Sequence, residues 1–179
     1  MASPSPIVNF IVRGFQIVFA ACVLGLSVGL IKGQRPGLDS PISLRYCAFV
    51  GGISFIAGFV GVAAEWVSVL QGKIGLIIDG VVTLINIAGA VLLAIQVGLP
   101  KCSDTSSENR GALAYNHLFN GGTWKSGKQE FCWNCSLDRY DQLNARCKEC
   151  QADTVFMFFI VILLLVSLTM TFLRTKKGY

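Results

Sequence analysis

Polar side chains are spaced along this chain so that four long apolar blocks stand between them, at about residues 7–31, 42–70, 75–97 and 154–173. A helix rises 1.5 Å per residue and a hydrocarbon core is about 30 Å thick, so some 20 apolar residues cross it. Each block is long enough, and the pattern predicts four transmembrane helices. The third block carries the most informative polar positions. Asp79, Thr83, Asn86 and Ala90 recur at intervals of four, three and four, which places them on one helical face with Leu, Ile and Val around the rest. A carboxylate at mid-membrane costs roughly 2.5–3.5 kcal/mol. This helix therefore turns its polar stripe toward neighbouring helices.

The other blocks supply those neighbours. Arg13 and Gln16 stand early in the first, which also holds the Gly25-xxx-Gly29 pair. The second has a small-residue side (Gly51, Ser54, Ala57, Gly58, Gly61, Ala64) and ends near Glu65 and Trp66. Gly25 and Gly29, with Gly58 and Gly61, are the expected close-packing positions. A short turn at 71–73 makes blocks two and three an antiparallel hairpin. The start of block one, the end of block two and the start of block three then share one membrane face. Arg13, Glu65 and Asp79, with Asn86 deeper, are expected as an intramembrane charge cluster that locks helix packing. An ion or proton path, and so a small transporter or channel, is the alternative. A path has to continue across the membrane, and Thr83, Asn86, Ser167, Thr169 and Thr171 continue it only weakly.

Residues 101–152 form the large polar segment. Its first half reads as turns, around 103–107 and Asn120-Gly121-Gly122. Its second half reads as a helix capped by Ser136, with Leu137, Tyr140, Asn144, Cys147 and Gln151 on one stripe, running directly into the fourth span. That span, Thr154 to Leu173, is uncharged and is stopped by Arg174, Lys176 and Lys177.

Composition agrees with a membrane protein: 53% hydrophobic and 14% charged residues, against about 25% charged in soluble domains. The net charge of +5 lies outside the long segment, which holds seven basic and seven acidic residues between Lys101 and Asp153. With no basic–aromatic pattern, nucleic acid is not an expected partner. The N-terminus lacks the basic region of a signal peptide, so the first block reads as a retained span. Arg13, Lys73, Arg174, Lys176 and Lys177 on one side outnumber Lys32, Arg35 and Arg45 on the other. This bias predicts cytosolic termini and an exoplasmic 101–152 loop.

The loop cysteines, Cys102, Cys132, Cys135, Cys147 and Cys150, allow three readings. Two C-x2-C motifs could form a four-thiolate zinc site, although the eleven-residue spacer is short. Disulfides in an exoplasmic loop are the second reading, with Cys132 and Cys135 crossing to Cys147 and Cys150 and Cys102 left over. Redox catalysis is the third, with Cys150 at the start of a new helix, where a thiol pKa falls. The disulfide reading is preferred, and no metal or cofactor is expected. Asn134-Cys135-Ser136 is a glycosylation sequon, which makes Asn134 a candidate acceptor. His117, the one histidine, reads as a solvated loop residue, and Cys22 and Cys47 as reduced apolar fillers.

Four spans with a short first and a long third loop resemble the MARVEL domain. Arg13-Gly14-Phe15-Gln16, Gly25-Leu26-Ser27, Asp79 and Cys147-Lys148-Glu149-Cys150-Gln151-Ala152 are similar to the fungal non-classical export proteins of that superfamily. The resemblance covers nearly the whole chain in layout. It implies an all-α four-helix bundle, cytosolic termini, no catalytic residues, and a role in plasma-membrane microdomains such as eisosomes or in vesicle traffic. Expected partners are membrane lipids, other membrane proteins and further copies of the chain. The Cys132/Cys135 pair departs from the family pattern. Tetraspanins carry an adjacent Cys-Cys-Gly that is missing here, and claudins place their large loop first. Lys176-Lys177 near the end resembles a dilysine retrieval signal, which gives the endoplasmic reticulum or Golgi as an alternative location.

Overall fold

The computed structural model describes residues 6–67, 73–126 and 129–176. Four long helices form the bundle: α1 (Pro6–Lys32), α2 (Ile42–Ala63), α3 (Lys73–Val97) and a last helix, Tyr140–Lys176. Between the third and the last lie α4 (Ser107–Tyr115) and an antiparallel hairpin of β1 (Thr123–Ser126) and β2 (Gln129–Cys132), with Thr123 opposite Cys132. The last helix is therefore α5. Helix α1 packs on α2 and α5, and α3 packs on α5 and α2, so the four close into a ring. Each is long and apolar enough to cross a membrane.

Spacing explains which faces meet. Along α1 the residues Asn9, Arg13, Gln16, Ala20, Val23, Ser27 and Leu30 are all buried. They recur at alternating intervals of four and three, the 3.5-residue period of helices packed side by side. In α5 the buried series Cys150, Asp153, Met157, Ile160, Leu164 and Ser167 keeps the same period. Between these seams, Phe15, Val18, Ile56, Phe59, Leu84, Ile95, Phe158 and Ile162 point outward and are exposed. An apolar exterior around a partly polar seam is what lipid solvent requires.

Small residues set the closest approach. A Cβ on Gly51 would lie 2.8 Å from the backbone nitrogen of Leu24, and one on Gly58 would lie 2.5 Å from Ile17 Cγ1. At Gly61 it would collide with the Arg13 guanidinium. Gly58 and Gly61 thus pack as expected. Gly25 and Gly29 do not: a Cβ at either meets nothing within 4 Å. They fall off the 3.5-residue seam of α1, so their Gly-xxx-Gly spacing faces outward. Gly51→Ala is expected to destabilise the bundle by roughly 1–3 kcal/mol, because the backbone it strikes has to move. Gly25→Ala and Gly29→Ala should leave detergent-unfolding midpoints unchanged. Equal midpoints for all three variants would contradict this packing.

The boundaries also shift. Helix α2 ends at Ala63 rather than near residue 70, α3 begins at Lys73, and α5 begins at Tyr140, so the helical segment does run directly into the fourth span. The turn expected at 71–73 lies mostly outside the described residues, as does Lys177. The turn-like first half of the loop contains α4, capped by Ser106 Oγ accepting from Asn109 N at 3.3 Å. Asp104 accepts from Ser106 N, which holds its carboxyl below the usual range. Ser136 makes no side-chain cap; a short 3-10 turn at 137–139 separates it from α5.

Candidate functional site: an ion pair under a disulfide-held loop

Asp79 faces the bundle interior, as its helical stripe requires, and there it meets Arg13. The guanidinium donates from Nη1 to Oδ1 at 2.9 Å and from Nη2 to Oδ2 at 2.5 Å. The two side chains are 5% and 3% exposed. Two parallel bonds to a carboxylate are the strongest form of this pairing. Arg13 also donates to Gln16 Oε1 at 2.9 Å, and Ser167 Oγ donates to Asp79 Oδ2 at 3.2 Å. Gln16 Nε2 reaches the carbonyl of Ser54, whose hydroxyl accepts from Asn86 Nδ2 at 2.7 Å. The network therefore ties all four bundle helices together. Glu65 lies at the edge of the cluster and accepts from Asn9 Nδ2.

The space beside the pair is small. A cavity of about 30 Å³ beside the pair is lined by Asn9, Arg13, Gly61, Glu65, Asp79 and Thr171, room for about one water. Toward the loop side, Ala20, Val23, Val50, Ala90, Met157 and Ile160 are buried and fill the next layers. The polar track stops at Asn86. A second buried polar position follows only beyond that layer: Asp153 Oδ2 accepts from Ser27 Oγ at 2.7 Å. Sequence reasoning missed Asp153 because the span was started one residue later, yet the α5 seam passes through it.

The loop folds onto the bundle through side chains that serve backbone carbonyls. Arg146, buried in α5, donates from Nη1 to Leu30 O at 3.0 Å and from Nε and Nη2 to Leu118 O at 3.3 and 3.1 Å. It satisfies an orphan carbonyl in the last turn of α1, where a cation is favoured. Gly33 leaves it room; a Cβ there would lie 2.6 Å from Nη1. Asn144 Nδ2 reaches the carbonyls of Cys102 and Asp104, both at 2.9 Å, and Gln151 Nε2 reaches Pro100 O at 3.2 Å. Of the expected Leu137–Tyr140–Asn144–Cys147–Gln151 stripe, Asn144, Cys147 and Gln151 meet the segment 100–104 that follows α3, while Tyr140 lies under Arg110 of α4 and Leu137 falls in the turn before α5. On the opposite side, the Arg35 guanidinium lies 3.9 Å over Trp124, Phe131 stacks on Trp124 at 5.7 Å, and Arg139 lies 4.2 Å over Trp133.

The cysteine pairing differs from the expected one. Cys102 bonds Cys147, and Cys132 bonds Cys135 within its own motif, with Cα separations of 5.4 and 5.2 Å. Cys147 faces the end of α3, where Asn144 holds the Cys102 backbone, while Cys132 and Cys135 flank the 3-10 turn after β2. The two C-x2-C motifs therefore do not converge into four zinc ligands, and among the described residues no three His, Cys, Asp or Glu side chains gather around a metal-sized space. Cys150 is unbonded and buried well inside α5, not at a helix start. Cys22 and Cys47 are free as well. Asn134 is 2% exposed, and its Nδ2 donates to Phe119 O at 3.0 Å. Glycosylation would need that nitrogen in solvent, so the folded chain offers no acceptor there. His117 is exposed, as expected.

No curated protein and no solved structure matches the chain. A MARVEL membrane-associating domain matches residues 6–170. That match runs through all four spans and the loop before the last, and the chain belongs to the MARVEL family of membrane-associating domains.

Proposed function

We propose that this chain is a non-enzymatic organiser of membrane microdomains, of the eisosome type or in vesicle traffic, acting by lateral association with lipids, other membrane proteins and copies of itself. The Arg13–Asp79 network carries the reading. Arg13, Gln16, Ser54, Asp79, Asn86 and Ser167 bond to one another across the four helices, and the outer surface of the bundle is apolar and available to neighbours. Two disulfides favour an oxidising compartment for the loop, and so cytosolic termini; the plasma membrane is the location the microdomain role asks for. Retention in the endoplasmic reticulum or Golgi is the alternative location.

The rival is a thiol oxidoreductase that uses the C-x2-C cysteines. Deleting the chain from cells should alter the clustering of neighbouring membrane proteins, followed by tagged reporters. Both the wild type and Cys150→Ser should restore it. Turnover of a dithiol with quinone by the purified protein, lost in Cys150→Ser, would overturn the organiser reading.

A further inference from the structure

An open cleft of about 820 Å³ lies between the end of α4 and the β1–β2 hairpin. Its wall is aromatic: Tyr115 ends α4, Trp124 comes from β1, Phe131 from β2 and Trp133 from the 3-10 turn, with Arg139 beside them. Tyr115 and Phe131 are 88% and 42% exposed. Aromatic rings gathered in one place and left in water mark an interaction surface. The wall is also preorganised. The Cys132–Cys135 bridge closes the turn around Trp133, whose N–H donates to Gly122 O at 2.9 Å, and Asn134 Nδ2 ties the turn to Phe119 O at 3.0 Å. Trp124 and Phe131 are register partners across the hairpin and stack at 5.7 Å. Rings held this way lose little freedom when a partner covers them. The bridge that departs from the family pattern thus has a local task, which is to fix Trp133.

The charge at this wall is one-sided. The Arg35 guanidinium lies 3.9 Å over Trp124 and 5.7 Å from the Trp133 centroid, while Arg139 lies 4.2 Å over Trp133. Two guanidiniums therefore gather at one indole. The described residues give neither of them a carboxylate or a hydrogen-bond acceptor; the nearby acids that do pair, Asp39 and Asp141, pair with Arg45 and Arg110. No Lys, Asp or Glu stands in the described lining. Like charges brought together by cation–π contact, with their donors unused, attract an anion. A guanidinium stacked on a ring still offers its in-plane N–H groups, two at a time, to a carboxylate. The composition is equally pointed. Tyr, Trp, Phe and Arg present together, with Lys, Asp and Glu missing, is the make-up of a protein–protein interface centre and not of ordinary surface.

We infer that this cleft docks a segment of a partner protein on the loop side of the membrane, one that carries a carboxylate next to an aromatic or large apolar side chain. Arg139 receives the carboxylate, and Tyr115 and Phe131 take the apolar side chain. Docking here rests on the reading that the chain works through contact with other proteins. Random heptapeptides displayed on phage are selected on the purified, unreduced full-length chain in detergent. Enriched sequences should place Asp or Glu beside Phe, Tyr, Trp or Leu. The strongest is synthesised and titrated by calorimetry. Arg139→Gln, at an exposed position, should weaken it roughly tenfold, and so should replacing the peptide's acid by its amide. The two changes together should weaken it little more than either alone, because they remove one shared contact. Tyr115→Ala should also weaken binding with an unchanged unfolding midpoint. Arg45→Gln, on the same side of the membrane but outside the cleft, should leave binding as it is. No enrichment, a consensus without an acid, or undiminished binding by the Arg139→Gln chain overturns the inference. A uronate or sulfated oligosaccharide that needs Arg139 and expels the peptide would give the cleft to an acidic glycan instead. Peptide binding without any change of clustering on deletion would keep the docking site and remove the organiser reading; the reverse would remove the docking site alone.

Discussion

Replacing Asp79 by asparagine is expected to lower folded yield and to destabilise the bundle by roughly 3–5 kcal/mol, the cost of stranding one member of a buried ion pair. The carboxylate accepts both arms of Arg13 and the Ser167 hydroxyl. An asparagine amide presents one oxygen and one NH2, so one guanidinium arm would face a donor. Arg13→Gln alone should cost a similar amount by stranding Asp79. The double variant should recover part of the loss, because two neutral amides can bond each other, and the coupling in the cycle should exceed about 1 kcal/mol. Denaturant titration of the four proteins in one detergent measures all four corners. An Asp79→Asn chain that folds normally but loses a proton or ion flux would instead make the pair part of a transport path.

The same pair shows how far the sequence carries. Intervals of four and three on α3 located Asp79 and Asn86, and the parity of the spans brought Arg13 and Glu65 to their level. Those arguments need only helical geometry and the cost of charge in lipid. Applied to α1, the same intervals separate the buried Asn9–Leu30 seam from Gly25 and Gly29; a motif of two glycines carries no such direction. Asp153 was missed for a related reason. A charge at the edge of an apolar block looks like its boundary, but the seam of α5 continues through it to Cys150 and Cys147. The loop was least legible. Its partners are backbone carbonyls, such as those of Leu30, Leu118, Cys102 and Pro100, reached by Arg146, Asn144 and Gln151. A carbonyl is present at every residue, so no sequence pattern says which one a side chain will find.

Removing the Cys102–Cys147 bridge should have a larger effect than removing Cys132–Cys135, although both sit in one loop. The first closes a sequence separation of 45 residues and the second one of 3. Loop-closure entropy makes that about 4 kcal/mol against about 2 kcal/mol, as upper values, because the unfolded loop gains more freedom when the longer ring opens. Both partners are replaced by alanine together, so that no stray thiol can pair again. In the Cys102→Ala/Cys147→Ala chain, the segment between them should become sensitive to added protease while the four spans stay protected. The burial of Arg146 and Asn144 in α5 ties that segment to the bundle, and part of the order should survive the loss. In the Cys132→Ala/Cys135→Ala chain, cleavage should be confined to the hairpin and the turn after it. Mass mapping of the unreduced wild type should find these two bridges with Cys22, Cys47 and Cys150 alkylated as free thiols after denaturation. Peptides that join Cys132 or Cys135 to Cys147 or Cys150 would show that the two halves of the loop are crossed, and would remove the docking of Cys102 against α5 on which the expected order of effects rests.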